Sequence, residues 1–172
     1  AIAPRPIALA STIDKDANIN LSPFSFFNMF SSNPPVVIFS PARRVRDNTT
    51  KHTLENVLEI PEVVIGIVNF KIVQQISLAS TEYETGVNEF VKSGLTMKDS
   101  DLVRPKLIDD CPVNLECKVL EIKHLGTEGG AGNLVICEIL KIHVREEYLN
   151  EEGNLDQMKL DLVARLGGNW YS

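Results

Sequence analysis

The chain has 172 residues, of which 44% are hydrophobic and 23% are charged, a composition typical of globular proteins and unlike that of disordered or fibrous ones. Its net charge of −6 disfavours binding to a nucleic-acid backbone. The apolar runs are too short to cross a bilayer and no signal peptide is recognisable, so we expect a single cytoplasmic domain over residues 1–172 with no membrane partner.

Short apolar segments in the first part of the chain predict a series of β-strands. We expect strands over residues 7–13, 19–22 and 36–40, which are rich in β-branched and other apolar side chains. The intervening residues 14–18 predict a hairpin turn, because Asp and Asn favour local side-chain hydrogen bonds over a strand ladder. Pro23 would keep the following residues out of a central strand, since proline has no N–H to donate.

Helical spacing of apolar residues appears in the middle of the chain. It predicts short helices over residues 50–59 and 71–80, with a buried strand over residues 63–68 between them. A third short helix is expected over residues 87–92, and Gly94 would stop it.

Two long strands dominate the remaining sequence. They are predicted over residues 114–125 and 133–144, where breaks in the alternation indicate β-bulges. The glycine-rich residues 126–132 predict a flexible hairpin loop and not a dinucleotide-binding turn, because a second β pattern follows where a helix would be needed. Strands joined by hairpins, with only short helices, favour an antiparallel barrel over a doubly wound sheet.

The cysteines and histidines do not form a metal-binding pattern. Their spacing lacks CxxC, HxxH and HExxH arrangements, and no Gly-x-Ser-x-Gly nucleophile elbow is present. We therefore predict no metal site and name no catalytic side chain. The residues considered are Cys111, Cys117, Cys137, His52, His124 and His143.

Five separated motifs carry a resemblance to a known family. In chain order they read PRPIALAST from Pro4, NLSPFSFFN from Asn20, NPPVVIFS from Asn33, KHTLENV from Lys51 and RLGGNWY from Arg165. Together they resemble the flavin reductase-like family, a group of FMN-binding split barrels that includes flavoredoxins and NAD(P)H:flavin oxidoreductases. The resemblance implies a mainly β fold with short helices, arranged as an antiparallel FMN-binding split β-barrel.

For the flavin ring, the resemblance implies a site within residues 20–35. Polar side chains and backbone amides would meet the polar ring edge, and Phe24 or Phe26 would pack beside the flat face. From composition alone, burial in the core is the commoner role for the phenylalanines of this stretch. The candidate ring-binding residues are Asn20, Leu21, Ser22, Ser25 and Phe26.

For the phosphate, the candidates come from a basic cluster in an otherwise acidic chain. Residues 43–51 carry this cluster beside the predicted start of a helix, where free backbone amides favour anions. The family usually has Lys-Asp-Thr where this chain has Lys51, His52 and Thr53, so the acidic residue is replaced. A solvated surface loop is the competing interpretation of the cluster. The candidate phosphate contacts are Arg43, Lys51 and Thr53.

The resemblance also maps hydroxyls at strand ends and a glycine pair near the end of the chain. Thr12 follows the first strand and Ser40 follows the third. Arg165 and Gly167 lie in a match to the family's Arg-x-Gly-Gly-x-x-Tyr pattern, where glycines allow a ligand to approach the backbone. A turn held by an aromatic anchor is an equally good interpretation of this segment.

The resemblance implies an FMN-dependent oxidoreductase with NADH or NADPH as the electron donor. Reduced flavin would pass electrons to free flavin, iron or an electron-acceptor protein, and family members are commonly homodimers with the flavin near the subunit interface. One alternative is a flavoredoxin-like electron carrier or non-catalytic flavin-binding module. Another is a barrel that has lost its cofactor and serves as an interaction protein.

Overall fold

The computed structural model describes residues 2–81, 83, 87–168 and 170–172. Its strands are β1 Arg5–Pro6, β2 Ala8–Ile13, β3 Ile19–Phe24, β4 Phe27–Ser32, β5 Pro35–Phe39, β6 Glu62–Ile67, β7 Met97–Lys98, β8 Leu107–Ile108, β9 Val113–His124, β10 Asn133–Val144, β11 Ala164–Gly167 and β12 Trp170–Tyr171. The α-helices are α1 His52–Glu59, α2 Val73–Ala79, α3 Glu89–Ser93 and α4 Gln157–Leu160, and 3-10 turns cover Phe70–Ile72 and Glu146–Tyr148.

Seven antiparallel strands form the main sheet. Their order is β3-β2-β6-β9-β10-β5-β4, so β3 and β4 are the two edges of the sheet within the described residues. The sheet is therefore open, as in a split barrel. A second sheet of three strands joins β1, β11 and β12, which brings the two ends of the described chain together.

The central strands of the main sheet are buried on both faces. Neighbouring residues of β2 face opposite sides, so Ala8 packs into one hydrophobic cluster and Leu9 into the other. Helix α1 closes the first cluster through residues such as Leu54, and helices α2 and α3 close the second through Ile76 and Phe90. Both α1 and α3 also contact β3, so elements from both faces meet at this edge of the sheet.

The predicted elements occur close to their expected positions, with two informative differences. The phenylalanine-rich segment contains a strand, β4, that pairs with β5 and that the sequence pattern did not predict. The helix expected over residues 71–80 begins with the 3-10 turn at Phe70–Ile72. The bulges expected in the long strands are confirmed, because the β9–β10 register shifts at two places. Pro23 lies in β3, which accommodates it because β3 is an edge strand.

Within the described part of the chain, no helix combines the length and apolarity that a membrane span requires.

Candidate functional site

The open edge of β3 is where the candidate site lies. In an antiparallel edge strand, alternate residues direct their backbone N–H and C=O away from the sheet. The N–H of Leu21 is one of these groups, and it donates to the Glu89 carboxylate at 3.1 Å. Pro23, two residues further on, has no N–H to offer. Pairing with a further strand is thus disfavoured at this edge, which leaves its surface for other contacts.

Among the recesses along this edge, two lie side by side and share Ser80. The first, which we call the polar cleft, has a volume of about 40 Å³ and is lined by Asn20, Ser22, Arg44, Lys51, His52, Ser80, Thr81, Tyr83 and Glu89. The second, the apolar recess, has a volume of about 100 Å³ and is lined by Ile7, Pro23, Phe24, Ser25, Ile76, Ser80, Arg165 and Tyr171. A polar compartment therefore adjoins one with an apolar floor.

The polar cleft lies at the start of helix α1. Lys51 occupies the N-cap position, and its own side chain makes no capping hydrogen bond to this end of the helix. The first-turn amides and the helix dipole favour an anion at such an end. The Lys51 ammonium lies 5.3 Å from the centre of the Phe24 ring, which belongs to the apolar recess. Lys51 thus connects the two compartments.

Arg44 reaches the same cleft from a loop with internal hydrogen bonds. We call residues 41–51 the arginine loop. The backbone N–H of Arg44 donates to the carbonyl of Thr49 at 2.9 Å, and its carbonyl accepts from Asn48 at 2.9 Å. The guanidinium of Arg43 donates to the Asn48 side chain at 2.7 Å. The Arg44 guanidinium also donates to the Thr49 hydroxyl, at 3.1 Å, so both arginines fasten the loop and Arg44 in addition lines the cleft.

Glu89 places a carboxylate among these cations. Its side chain is buried, with 6% of the residue exposed. Burial raises the pKa of the Glu89 carboxyl above its ordinary value, and the Leu21 N–H and the nearby His52 oppose that rise. A protonated Glu89 would remove a negative charge from a cleft that is otherwise suited to an anion.

Two buried polar pairs form the wall behind the cleft. The amide of Asn20 lies 2.9 Å from the Thr53 hydroxyl. With the amide oxygen turned toward Thr53, the amide nitrogen donates to Glu89 at 3.3 Å. The amide of Asn56 donates to the Thr12 hydroxyl at 3.1 Å. These pairs tie α1 to the strands β2 and β3, so they fix the position of the helix end that forms the cleft.

Arginines from the two ends of the chain flank the apolar recess. Arg5 and Arg165 face each other in the β1–β11 pair. The Arg165 guanidinium lies 4.7 Å from the centre of the Tyr171 ring and bonds its hydroxyl. Arg5 donates to the Ser25 hydroxyl at 3.4 Å and lies 5.7 Å from the centre of the Phe26 ring. Two cations therefore border a recess with an apolar floor.

Comparison with known proteins identifies the family. A model of the flavin reductase like domain matches residues 2–159. The chain belongs to the flavin reductase-like domain family. An uncharacterized protein of Aquifex aeolicus is 36% identical over 170 residues, which cover 99% of this chain and 84% of that protein.

Two solved structures show the same fold. Nitrilotriacetate monooxygenase component B from Bacillus cereus has a TM-score of 0.92 at 26% identity, covering 100% of this chain and 85% of that one. A protein with a split barrel domain from Shewanella frigidimarina has a TM-score of 0.83 at 27% identity, covering 98% of this chain and 81% of that one. The open antiparallel sheet is thus the split barrel of the flavin reductase-like family.

The structure brings several of the predicted flavin-binding residues of this family member together. Asn20, Ser22 and Lys51 line the polar cleft, and Ser25 and Arg165 line the apolar recess. Phe26 lies beside Arg5 with 59% of its surface exposed.

The other predicted residues lie behind or beyond these recesses. Thr12, Thr53 and Leu21 are fully buried. Ser40 is also buried, and its hydroxyl accepts the N–H of Asn133 at 3.1 Å. Gly167 is the last residue of β11, with a φ of 118°, in the region that favours glycine.

Six residues that line the polar cleft are absent from the contacts predicted from the sequence. They are Arg44, His52, Ser80, Thr81, Tyr83 and Glu89. Arg44 lies in the basic cluster predicted from the sequence, but the sequence does not show in which direction each arginine side chain points. Glu89 and Tyr83 carry no local signal, because they reach β3 from distant parts of the chain.

One group outside the recesses has the composition of a metal site, namely Asp101, Glu116 and His143. The central carboxylate, that of Glu116, already has hydrogen-bond partners within the protein. Glu116 accepts the backbone N–H groups of residues 101, 102 and 103 and lies 2.5 Å from His143. Asp101 is paired with Lys141 at 2.6 Å. The group therefore fixes the loop at residues 101–103.

Proposed function

We propose that this protein is an FMN-binding oxidoreductase that takes electrons from NADH or NADPH. The observation that supports this most directly is the pair of adjoining recesses along β3. One recess offers cations and a helix start, and the other offers an apolar floor. FMN has two parts that match these recesses: a phosphate with nearly two negative charges, and a flat ring with polar edges. The family to which the chain belongs supports a flavin as the ligand.

The polar cleft is proposed to hold the phosphate. Lys51 and Arg44 supply positive charge, Ser22 supplies a hydroxyl donor, and the start of α1 supplies backbone amides. Thr12 and Thr53 are proposed to act indirectly, because their hydroxyls bond to Asn56 and Asn20 in the wall behind the cleft. Ser40 and Arg43 would likewise support the arginine loop.

The apolar recess is proposed to receive the ring. Phe24 and Pro23 provide apolar surface, while Ser25 and Arg165 can meet polar ring atoms. Phe26 is exposed beside Ser25 and would cover part of the ligand. Bound FMN supplies hydride and single-electron transfer, so the side chains are required to bind, orient and shield it, and no catalytic side chain is assigned.

A homodimer is part of the proposal. β4 is an edge strand with large apolar side chains that face solvent, namely Phe26 just before it and Met29 and Phe30 within it, which are 59%, 54% and 65% exposed. Exposed apolar surface of this kind on an edge strand is typical of an interface. Sedimentation equilibrium tests this, and a strictly monomeric chain at high concentration would remove the dimer from the proposal.

An anaerobic absorbance experiment tests the activity. The protein is loaded with FMN, and its visible spectrum is recorded before and after NADH and then NADPH are added. Loss of the oxidised flavin band supports a reductase and identifies the donor. A bound flavin that neither nucleotide reduces would instead favour the flavoredoxin-like carrier. A protein that binds no FMN would contradict both functions.

A further inference from the structure

The hairpin between β9 and β10 lies against the arginine loop. We call residues 125–132 the glycine hairpin. Two backbone hydrogen bonds join it to one residue of the arginine loop: the N–H of Arg43 donates to Ala131 at 2.9 Å, and the N–H of Gly130 donates to the Arg43 carbonyl at 3.0 Å. The predicted flexible hairpin loop is thus docked on the segment that carries the cleft arginine.

At Gly129 the glycine hairpin packs so closely against the arginine loop that there is no room for a side chain. A Cβ at this position would lie 3.0 Å from the Cα of Val45 and 3.1 Å from the carbonyl oxygens of Arg44 and Val45. Such distances are tighter than ordinary van der Waals contact, and the atoms met are backbone atoms that cannot rotate away. Close approach to Arg44 therefore requires glycine here.

Asn133 anchors the base of the hairpin to the other end of the arginine loop. Only 1% of this residue is exposed. Its side chain donates to the Pro41 carbonyl at 2.8 Å, and its backbone N–H donates to the Ser40 hydroxyl at 3.1 Å. Its amide oxygen lies 2.5 Å from Nδ1 of His124. The arginine loop is therefore held at Pro41 and at the preceding Ser40, as well as at Arg43.

We propose that the glycine hairpin is a positioning element for phosphate recognition. It fixes the backbone on either side of Arg44, and so fixes where the Arg44 side chain lines the polar cleft. This inference rests on the proposed FMN site. It predicts that crowding at Gly129 displaces Arg44 and weakens binding of the phosphate, while contacts with the ring in the apolar recess are retained.

Paired titrations with FMN and riboflavin, which lacks the phosphate, test this role. Gly129→Val should weaken FMN binding by about tenfold, as expected for a lost contact to a charged group. Riboflavin binding should stay within about twofold, the range of an ordinary surface change. Thr127→Val is the matched control, because Thr127 is exposed in the same hairpin and its hydroxyl lies near Glu128. Equal effects on both flavins, or none, would overturn the inference.

Trypsin digestion provides a measurement that does not depend on FMN. Release of the arginine loop in Gly129→Val should speed cleavage after Arg43, Arg44 and Arg46 by about tenfold relative to the wild type and Thr127→Val, because protection reflects local stability. Unchanged cleavage would overturn the docking role. A wild-type protein that binds neither flavin would refute the proposed function and the phosphate role together, whereas faster cleavage in that case would still establish docking.

Discussion

The buried carboxylate of Glu89 accepts the backbone N–H of Leu21 at 3.1 Å, on the open edge of β3. This bond satisfies an edge amide that no strand pairs within the described residues. It also places a titratable group on the wall of the polar cleft. The ionisation state of Glu89 should therefore affect both folding and the affinity for an anion.

Glu89→Gln should strengthen FMN binding. Glutamine keeps an oxygen acceptor for the Leu21 N–H but removes a negative charge from the cleft. The expected gain for FMN is about 1 kcal/mol at neutral pH, the size of a solvent-screened charge interaction. Riboflavin affinity should be unchanged. Titrations with both flavins check this, and weaker FMN binding would place the phosphate away from Glu89.

The same variant should change how stability depends on pH. Because the pKa of Glu89 is raised in the folded protein, the native state binds more protons than the unfolded state above the unfolded pKa of about 4.3. Protonated Glu89 therefore makes its full contribution to the free energy of unfolding below that pH. The contribution is lost as the pH rises through the pKa that Glu89 has in the folded protein. Urea unfolding should show Glu89→Gln gaining stability relative to the wild type as the pH rises. A gain that shrinks over this range would be incompatible with a raised pKa.

Glu116→Gln should change the pH dependence of stability in the opposite direction. Burial alone would raise the pKa of the Glu116 carboxyl. The pKa is nevertheless lowered, because backbone N–H groups of residues 101–103 and His143 bond the ionised form. Ionised Glu116 therefore stabilises the folded protein above the pKa that it has in the unfolded chain. This stabilisation is lost as the pH falls through its lower pKa in the folded protein. The substitution should cost about 3 kcal/mol at neutral pH and progressively less in acid. A constant cost at every pH would show that charge is not involved.

Lys51→Ala should weaken FMN binding by about 1.5 to 3 kcal/mol, the range for a hydrogen bond to a charged group. Riboflavin binding should change much less, since only FMN carries the phosphate. Lys118→Ala is a suitable control, because Lys118 is an exposed residue of β9 that pairs opposite Glu62, away from both recesses. Unchanged FMN affinity in a folded Lys51 variant would place the phosphate elsewhere.

Thr53→Val should lower the free energy of unfolding by about 1 to 3 kcal/mol, because it leaves the buried Asn20 amide without its hydroxyl partner. Thr53→Ser retains the hydroxyl and serves as the control. Urea unfolding and FMN titration are measured together. Full stability combined with a loss of affinity as large as that of Lys51→Ala would instead make Thr53 a direct phosphate contact.

Much of the fold could be predicted from the sequence, because hydrophobic alternation reports which strands are buried. β4 escaped prediction for the same reason: its central residues are exposed, so its pattern lacks a buried face. The candidate ring-binding residues end at Phe26, just before this strand. Only pairing with β5, a tertiary feature, shows that it is a strand.

The site was less predictable because side-chain direction depends on the loop fold. Arg43 and Arg44 are adjacent and chemically identical, and both bond within the loop, Arg43 to Asn48 and Arg44 to Thr49, yet only Arg44 also lines the cleft. Thr53 follows Lys51 by two residues at the start of α1, and the turn of the helix buries it. Glu89 reaches the cleft from a separate helix, which no local pattern could indicate.

In the proposed function, the polar cleft recognises the phosphate of FMN. An equilibrium titration of the flavin-free protein with FMN and with riboflavin, followed by flavin fluorescence, tests this recognition. FMN should bind more tightly than riboflavin by about tenfold or more, because the phosphate adds charge-assisted contacts. Equal affinity for the two flavins, or no binding of FMN, would contradict it.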